Sequence, residues 1–309
     1  MKKKFSLIIF LFGFIVALCA ESGIQVAGSL EPGSVLAVFT ENEVGFAEGT
    51  LFLPSGGTVH TQGFFWPEES ERTGTIFLFG IPSQTTSGEA LIRVQGVAGG
   101  VPWTVEEKLR LGEKTFREET IPLTEALTNL REEEREAREK ESLELYNLLI
   151  TFQAGSFYDG GPYARPFDGG VMTSWFGDRR RYEYHDGRTA TSVHAGIDLA
   201  ATRGTAVHAC GAGRVVLSKN RIITGETIVL EHLPGVYSLY YHLEKRFVNP
   251  GDLLEKGQLL GTVGMTGFAT GPHLHWEFRV AGVPVDPEPL VLRGLLDKVI
   301  IMSIMDDKN

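Results

Sequence analysis

Apolar and polar positions alternate over short runs in the first third of the chain, and clusters of turn-forming residues such as 54–57 and 83–88 separate the runs. Short alternating runs between turn signals are typical of β-strands in a sandwich. The pattern therefore predicts a small, immunoglobulin-like β-sandwich over residues 21–118. The predicted strands include residues 35–39, 50–53, 63–66, 75–79 and 90–94.

The pattern changes in the segment that follows, residues 119–154. Residues 124–150 contain neither glycine nor proline, are rich in Glu, Arg, Leu and Ala, and repeat leucine at helical spacing. We therefore predict a helix that connects two domains. Its apolar stripe is thin, so it is expected to pack on one side only. A solvated connector is favoured over a helix that recruits a regulatory partner.

A β pattern returns over residues 155–292, after a glycine-rich surface connection at 155–170. Helical periodicity is nearly absent here, so we predict a second, antiparallel β domain. A tail at residues 293–309 is expected to contain a short helix at 295–305. The predicted strands are residues 206–209, 213–217, 227–230, 238–241, 259–263 and 274–280. The predicted fold class is thus mainly β: sandwich, connecting helix and second β domain.

The first residues predict export. Three lysines at 2–4 precede an apolar run at 5–18, and small and polar residues follow, as in a secretory signal peptide at residues 1–20. The run is short for a membrane span. We therefore expect the periplasm or cell envelope. Cleavage after Ala20 is favoured. Two alternatives remain open. The first is lipidation of Cys19, which lies in a lipoprotein-like box with an unusual Leu18, and the second is an uncleaved membrane anchor.

The composition of the chain limits the classes of binding partner and the number of possible disulfide bonds. The chain has 309 residues, of which 42% are hydrophobic and 22% charged, as in ordinary globular proteins. A formal net charge of −10 argues against non-specific binding to nucleic acid or anionic lipid. Beyond Cys19 there is only Cys210, so an internal disulfide is excluded. Its small and apolar neighbours predict a buried structural thiol.

Histidine placement carries the strongest chemical signal. His273 and His275 are two residues apart in a predicted strand, where such residues share a face, so one can bind a metal while the other transfers protons. His194 and Asp198 flank Gly196, which disfavours a helix, so a strand ending in a bend is expected to turn both into one cleft. A third motif, Tyr-Tyr-His-Leu at 240–243, contributes His242.

One carboxylate and two imidazoles make a suitable zinc ligand set. They leave a fourth tetrahedral position for water, which a catalytic site requires, whereas structural zinc usually has four protein ligands. A charge run at residues 178–181 is most simply a solvated loop, although it could instead line a substrate groove. The other histidines lack such context and are predicted to be structural or at the surface: His60, His185, His208 and His232.

The three motifs, in this order, resemble those of the lysostaphin/LytM-type zinc metallopeptidases, which cleave peptidoglycan peptides. The resemblance covers about residues 165–289 and implies an active site in a groove over an antiparallel sheet. It implies that His194, Asp198 and His275 bind Zn²⁺. It also implies that His242 and His273 are catalytic histidines that do not bind the metal.

The implied function is a zinc-dependent endopeptidase that hydrolyses peptide cross-links of peptidoglycan, with stem peptides or cross-bridges as partners. Zinc-activated water would attack the scissile carbonyl, assisted by His242 and His273. The layout of sandwich, helix and catalytic domain resembles that of periplasmic members of the family, and this resemblance implies a D-alanyl cross-link rather than a glycine bridge. The alternatives are a non-catalytic wall-binding protein or activator of another hydrolase, which the complete ligand set disfavours, and a sandwich that binds glycan or a regulatory partner.

Overall fold

The structure is a computed structural model that describes residues 8–11, 14–18, 23–41, 46–65, 74–132 and 135–295. The predicted cleavage and lipidation sites at residues 19–20 and the predicted tail helix, except for Leu295, lie outside the described residues. Strands dominate, so the predicted mainly β fold class is confirmed. Within the described part of the chain, no helix is long and apolar enough to cross a membrane.

The first group of elements comprises β1 (Ile8–Leu11), β2 (Phe14–Leu18), β3 (Ile24–Gly28), β4 (Val35–Thr40), β5 (Phe46–Phe52), β6 (Thr58–Gln62), β7 (Phe64–Phe65), β8 (Thr75–Gly80), β9 (Gly88–Ala98), β10 (Val101–Leu111), β11 (Glu118–Pro122), α1 (Glu125–Glu132) and α2 (Arg135–Leu149). The second comprises β12 (Val171–Ser174), β13 (Arg179–Glu183), β14 (Thr189–Val193), β15 (Ile197–Ala200), β16 (Ala206–His208), β17 (Gly213–Arg221), β18 (Gly225–Leu233), β19 (Val236–Arg246), β20 (Leu253–Leu254), β21 (Leu259–Val263), β22 (His273–Val280), β23 (Val283–Val285) and α3 (Pro287–Arg293).

Two sheets form the N-terminal sandwich. One has the strand order β1-β2-β3-β4-β8-β7 and the other β10-β9-β5-β6. Buried and more exposed residues alternate along β4, β6 and most of β9, as the period of a strand requires, and the buried ones face a shared core. This core includes Leu36, Phe77, Leu51 and Ile92.

Strand β8 joins the sandwich to the second domain, because both of its faces are buried. Phe77 and Phe79 pack inside the sandwich, whereas Ile76 and Leu78 pack into the core of the C-terminal domain. A strand that is buried on both faces usually consists of consecutive apolar residues, and residues 76–79 are all apolar. The two domains therefore share apolar contacts, and deleting the sandwich would expose the second core to water.

The connecting segment contacts the C-terminal domain along its length. β11 pairs in parallel with β13, in a sheet of order β11-β13-β14. The residues of α1 and α2 are helical, and 133–134 between them lie outside the described residues. Leu149 of α2 packs on the outer face of the large sheet against Val229 and Leu239. The predicted helix is present, and the strand before it was not predicted.

The C-terminal domain is built on a large sheet with the central order β12-β15-β22-β19-β18-β17-β20. Neighbouring strands along this path are antiparallel, as predicted. Strand β22 lies between β15 and β19, so its inner residues have a partner strand on each side. This central position fixes the side chains that form the site described below.

A buried polar cluster lies within the same domain. His232 has no exposed surface, and its Nδ1 and Nε2 lie 2.7 Å from the Ala212 carbonyl and 2.8 Å from the Ser238 hydroxyl. Burial lowers the pKa of His232 to about 4, so the ring is neutral at pH 7. Cys210 is buried against this ring, as predicted for a structural thiol, and burial raises its pKa to about 12.

We expect the neutral His232 ring to make the fold sensitive to acid. An unfolded histidine has a pKa of about 6.5, so between pH 6.5 and 4 the unfolded chain binds a proton that the folded chain does not. The contribution of His232 is complete above pH 6.5 and falls by about 2 kcal/mol between pH 7 and pH 5. Urea unfolding at both pH values, with a chelator present, should show a larger loss for wild type than for His232→Gln. Equal losses would contradict the buried neutral state.

Candidate metal centre

Strand pairing brings Asp198 and His275 together. Asp198 on β15 is the direct register partner of His275 on β22, and directly opposed side chains in antiparallel strands are neighbours. On the other side of β22, Tyr241 is the register partner of His275. The Tyr241 ring stacks parallel to the His275 ring at a centroid distance of 5.2 Å. His275 is thereby fixed between two neighbouring strands.

A tight bend brings His194 to the same place. β14 ends at Val193 and β15 begins at Ile197, which agrees with the predicted strand ending in a bend. Gly196 lies in this bend, where a Cβ atom would be only 2.3 Å from the Trp276 carbonyl oxygen. Any larger residue would push the bend away from β22. The glycine of the His-x-Gly-x-Asp motif is thus required by close packing.

Three donor atoms face one another at the centre of this cluster. Asp198 Oδ1 lies 2.8 Å from His275 Nδ1 and 3.1 Å from His194 Nε2, and the two nitrogens are 2.9 Å apart. A tetrahedral zinc site with ligand distances of about 2.0–2.1 Å has edges of about 3.3 Å. All three residues are buried. The set therefore fits a divalent cation after an outward shift of a few tenths of an ångström.

The protonation of the three side chains favours a cation. His194 Nδ1 donates to the Trp175 carbonyl at 2.8 Å, so Nε2 presents a lone pair, and burial lowers the pKa of His194. Burial raises the pKa of Asp198, but contacts with His194 and His275 outweigh it and hold the pKa well below its usual range. Two acceptors thus meet at 3.1 Å, a contact that needs a positive charge between them.

A protonated His275 ring can supply that charge. Burial opposes protonation of this ring, but Asp198 and Glu277 outweigh burial and raise its pKa to about 9. Glu277 Oε1 is 3.5 Å from His275 Nε2, and Arg279 donates to Glu277 at 2.9 and 3.1 Å. Burial raises the pKa of Glu277, whereas Arg279 and His275 lower it to about 2. The outer nitrogen of His275 therefore has an anionic partner, as metal-binding histidines usually do.

Two further histidines lie beside the cluster. Nδ1 of His242 donates to the Thr266 carbonyl at 2.8 Å, and Nδ1 of His273 donates to the Gly271 carbonyl at 2.8 Å. Each ring therefore keeps Nε2 as a proton acceptor. The two ring centroids are 4.8 Å apart, and His273 Nε2 is 3.8 Å from Asp198 Oδ1.

His242 is held in an uncommon backbone conformation. Its φ of 59° lies in the left-handed region, which non-glycine residues adopt rarely and mostly where the surroundings impose it. Its backbone N–H donates to the Thr224 carbonyl at 2.8 Å, which fixes this conformation. Burial, followed by the neighbouring His273 and His275, lowers the pKa of His242 to about 3. The ring is therefore neutral and able to accept a proton at pH 7.

Residues 192–287 match the model of "Peptidase family M23". The chain carries a domain of peptidase family M23. A solved structure from Pseudomonas aeruginosa, described as a peptidase M23, superimposes with a TM-score of 0.60 at 28% identity, covering 84% of this chain and 93% of that one. The match extends well beyond the M23 domain and so includes most of the N-terminal half.

Several relatives of this chain have names that specify an activity. Peptidoglycan DD-endopeptidase ShyC of Vibrio cholerae is 32% identical over 154 residues, which cover 48% of this chain and 35% of that protein. DD-carboxypeptidase/endopeptidase Mpg of Neisseria meningitidis is 37% identical over 121 residues, 39% of this chain and 27% of that protein. The chain spans about a third of the length of the curated relatives it matches.

A cleft of about 500 Å³ opens beside the cluster of His194, Asp198 and His275. The loop 268–272 forms one side, and residues 119–122 of β11, which lie outside the M23 domain, form part of the lining. Arg131 of α1 stacks on Tyr182 at 4.3 Å and on Phe268 at 5.6 Å, which ties the connecting segment to the cleft. Asp198, His242, His273 and His275 all lie in the lining of this cleft.

All five site residues predicted from the sequence lie together in the M23 domain. The prediction that residues 178–181 form a solvated loop is wrong, because residues 179–181 belong to β13. The alternative, that this run lines the groove, agrees with the presence of Arg180 in the cleft lining. Asp178 is buried and accepts a hydrogen bond from the Trp175 backbone, and Arg180 reaches Asp198. His232 is structural as predicted, and His185 is exposed.

Proposed function

We propose that this chain is an exported, zinc-dependent endopeptidase that hydrolyses peptide cross-links of peptidoglycan. The observation that carries the proposal is the arrangement of three buried ligand atoms beside two further histidines whose Nδ1 atoms are held by backbone carbonyls. The M23 domain and relatives named as peptidoglycan DD-endopeptidases support the substrate class. A lysine-rich, apolar N-terminus supports export to the periplasm or cell envelope.

His194 Nε2, Asp198 Oδ1 and His275 Nδ1 would hold Zn²⁺. Zinc in such a set lowers the pKa of water and polarises a carbonyl group. The Nε2 atoms of His242 and His273 are then placed to accept the proton of the attacking water and to deliver a proton to the leaving amine. Their backbone carbonyl partners hold both rings in the tautomer that this task requires.

The relatives' names favour a particular bond. A DD-endopeptidase cleaves between two D-centred residues, which agrees with the D-alanyl cross-link that the domain layout suggests. The alternative, a non-catalytic wall-binding protein or hydrolase activator, has no need of a complete ligand set or of two tautomer-fixed histidines. Strand β8 of the sandwich contributes side chains to the core of the C-terminal domain. This contact supports a structural role for the sandwich, in addition to any role in binding.

Metal analysis and product analysis test the proposal together. We expect about one zinc per purified chain. We also expect mass spectrometry to show that dimeric muropeptides with a D-alanyl cross-link are converted to monomers with a newly freed amine. Glycine-bridged muropeptides serve as the matched alternative substrate. A chain that binds zinc but leaves both substrates and intact sacculi unchanged would exclude the endopeptidase.

A further inference from the structure

Arg180 lies between two carboxylates at the edge of the metal centre. Its Nη2 is 2.5 Å from Asp198 Oδ2, and its Nε is 3.2 Å from Glu119 Oε2. The Arg180 side chain is 14% exposed and that of Asp198 is 9% exposed, so water competes little for these contacts. A planar guanidinium with several donors can hold two carboxylates at once, which an ammonium group does less well.

The two oxygens of Asp198 have different partners. Oδ1 faces His194 and His275, whereas Oδ2 accepts from Arg180. Without a partner on Oδ2, the Asp198 carboxylate would be free to rotate about χ2, because this torsion angle has a broad energy profile. The Arg180 contact therefore selects Oδ1 as the atom offered to the metal.

Glu119 closes a ring of four residues around this contact. It is the direct register partner of Arg180 in the parallel pair β11–β13, and Ser174 is the register partner of Asp198 in β12–β15. The Ser174 hydroxyl donates to Glu119 at 3.2 Å, which links the two strand pairs. Backbone pairing thus fixes two sides of the ring, and side-chain hydrogen bonds fix the other two.

We propose that Arg180 and Glu119 are positioning residues of the metal centre, so that the connecting strand β11 is part of the site although it lies outside the M23 domain. This inference rests on the proposed zinc site. Arg180 orients the Asp198 carboxylate, and Glu119 orients Arg180. Neither residue binds the metal itself.

Simple charge arguments predict the opposite effect, which makes the inference testable. Replacing Arg180 by a neutral residue removes a positive charge near the cation, and Coulomb's law alone would then strengthen metal binding. Loss of orientation weakens it instead, typically by about 10- to 100-fold for a residue that positions a ligand. The sign of the change in affinity therefore separates the two effects.

The experiment measures zinc affinity of the full chain by competition with a chelating dye. Arg180→Gln is expected to weaken binding by about 10- to 100-fold. Arg180→Lys should lie between this variant and wild type, because lysine keeps the charge but not the fork. Glu119→Gln should weaken binding less than Arg180→Gln. At saturating zinc, we expect Arg180→Gln to lower kcat more than it raises KM.

Neighbouring residues provide matched controls. Arg181 is on the same strand with its side chain 59% exposed, and Glu118 is the exposed residue next to Glu119. Arg181→Gln and Glu118→Gln should keep wild-type affinity. Urea unfolding in the presence of a chelator checks that each variant is folded. If Arg180→Gln does not fold, the zinc affinities of Arg180→Lys and Glu119→Gln test the inference instead. Equal or tighter binding by the folded variants overturns the inference, whereas failure of wild type to bind zinc overturns the proposed function.

Discussion

Replacing His194 with alanine is expected to remove zinc and, with it, cross-link hydrolysis. His194 supplies one of three ligand atoms, and structural zinc sites with four ligands bind with about 10–16 kcal/mol, or roughly 2.5–4 kcal/mol per ligand. Loss of one ligand should therefore weaken binding by about 10²- to 10³-fold or more. The other two ligands remain, but they leave the metal with too few protein contacts to survive purification.

Zinc content after dialysis and the rate of cleavage of a dimeric muropeptide measure this loss. His185→Ala is a matched control, because His185 is an exposed histidine in the turn before β14. It should keep both zinc and activity. Near-ultraviolet circular dichroism in chelator shows whether His194→Ala has kept its tertiary structure. A folded His194→Ala variant that retains one zinc per chain would show that the ligand set is assigned incorrectly.

The arrangement of the site could be predicted from the sequence because its geometry is local to strands and motifs. The spacing of His273 and His275 requires a common face once the segment is a strand, and β22 confirms that strand. The pairing of Asp198 with His275 could not be predicted from spacing alone, since register between distant strands depends on the whole sheet. The family resemblance implies only that both residues bind the same metal.

The contacts that surround the ligands were missed for a physical reason. Arg180 is part of a charge run, and such runs usually face solvent. Only the parallel pairing of β11 with β13 brings Glu119 beside it and buries the contact. The five residues of β11 are mostly polar and too few to give a clear strand pattern. The contact between Arg180 and Glu119 can be recognised only from the structure, in which β11 pairs with β13.

Similar reasoning explains the domain boundary. The apolar run at residues 76–79 predicts a buried strand, but periodicity does not tell which core receives each face. In the structure, Ile76 and Leu78 pack with the C-terminal domain, and Phe77 and Phe79 with the sandwich. A targeting role for the sandwich is therefore better tested by substitutions on its exposed strands than by deletion. Deletion would change stability and targeting together.

The second large effect is expected at the histidines that do not bind the metal. His273→Ala should keep one zinc per chain but lose about 10²- to 10⁴-fold in kcat, the usual range for a general acid or base. The reason is that His273 Nε2 faces the cleft while its Nδ1 is fixed by the Gly271 carbonyl. Zinc content and steady-state rates on one muropeptide separate metal loss from loss of proton transfer.

His242 requires a different substitution for the same test. Its φ of 59° strains most residues, whereas asparagine tolerates the left-handed region better than alanine does. His242→Asn should therefore retain the fold and the zinc and lose kcat to a similar extent. If the two histidines act in one proton-transfer sequence, the double variant should be little slower than the slower single variant, because groups that act together are not additive. Full activity in either single variant would remove that histidine from the mechanism, and loss of zinc would make it a ligand instead.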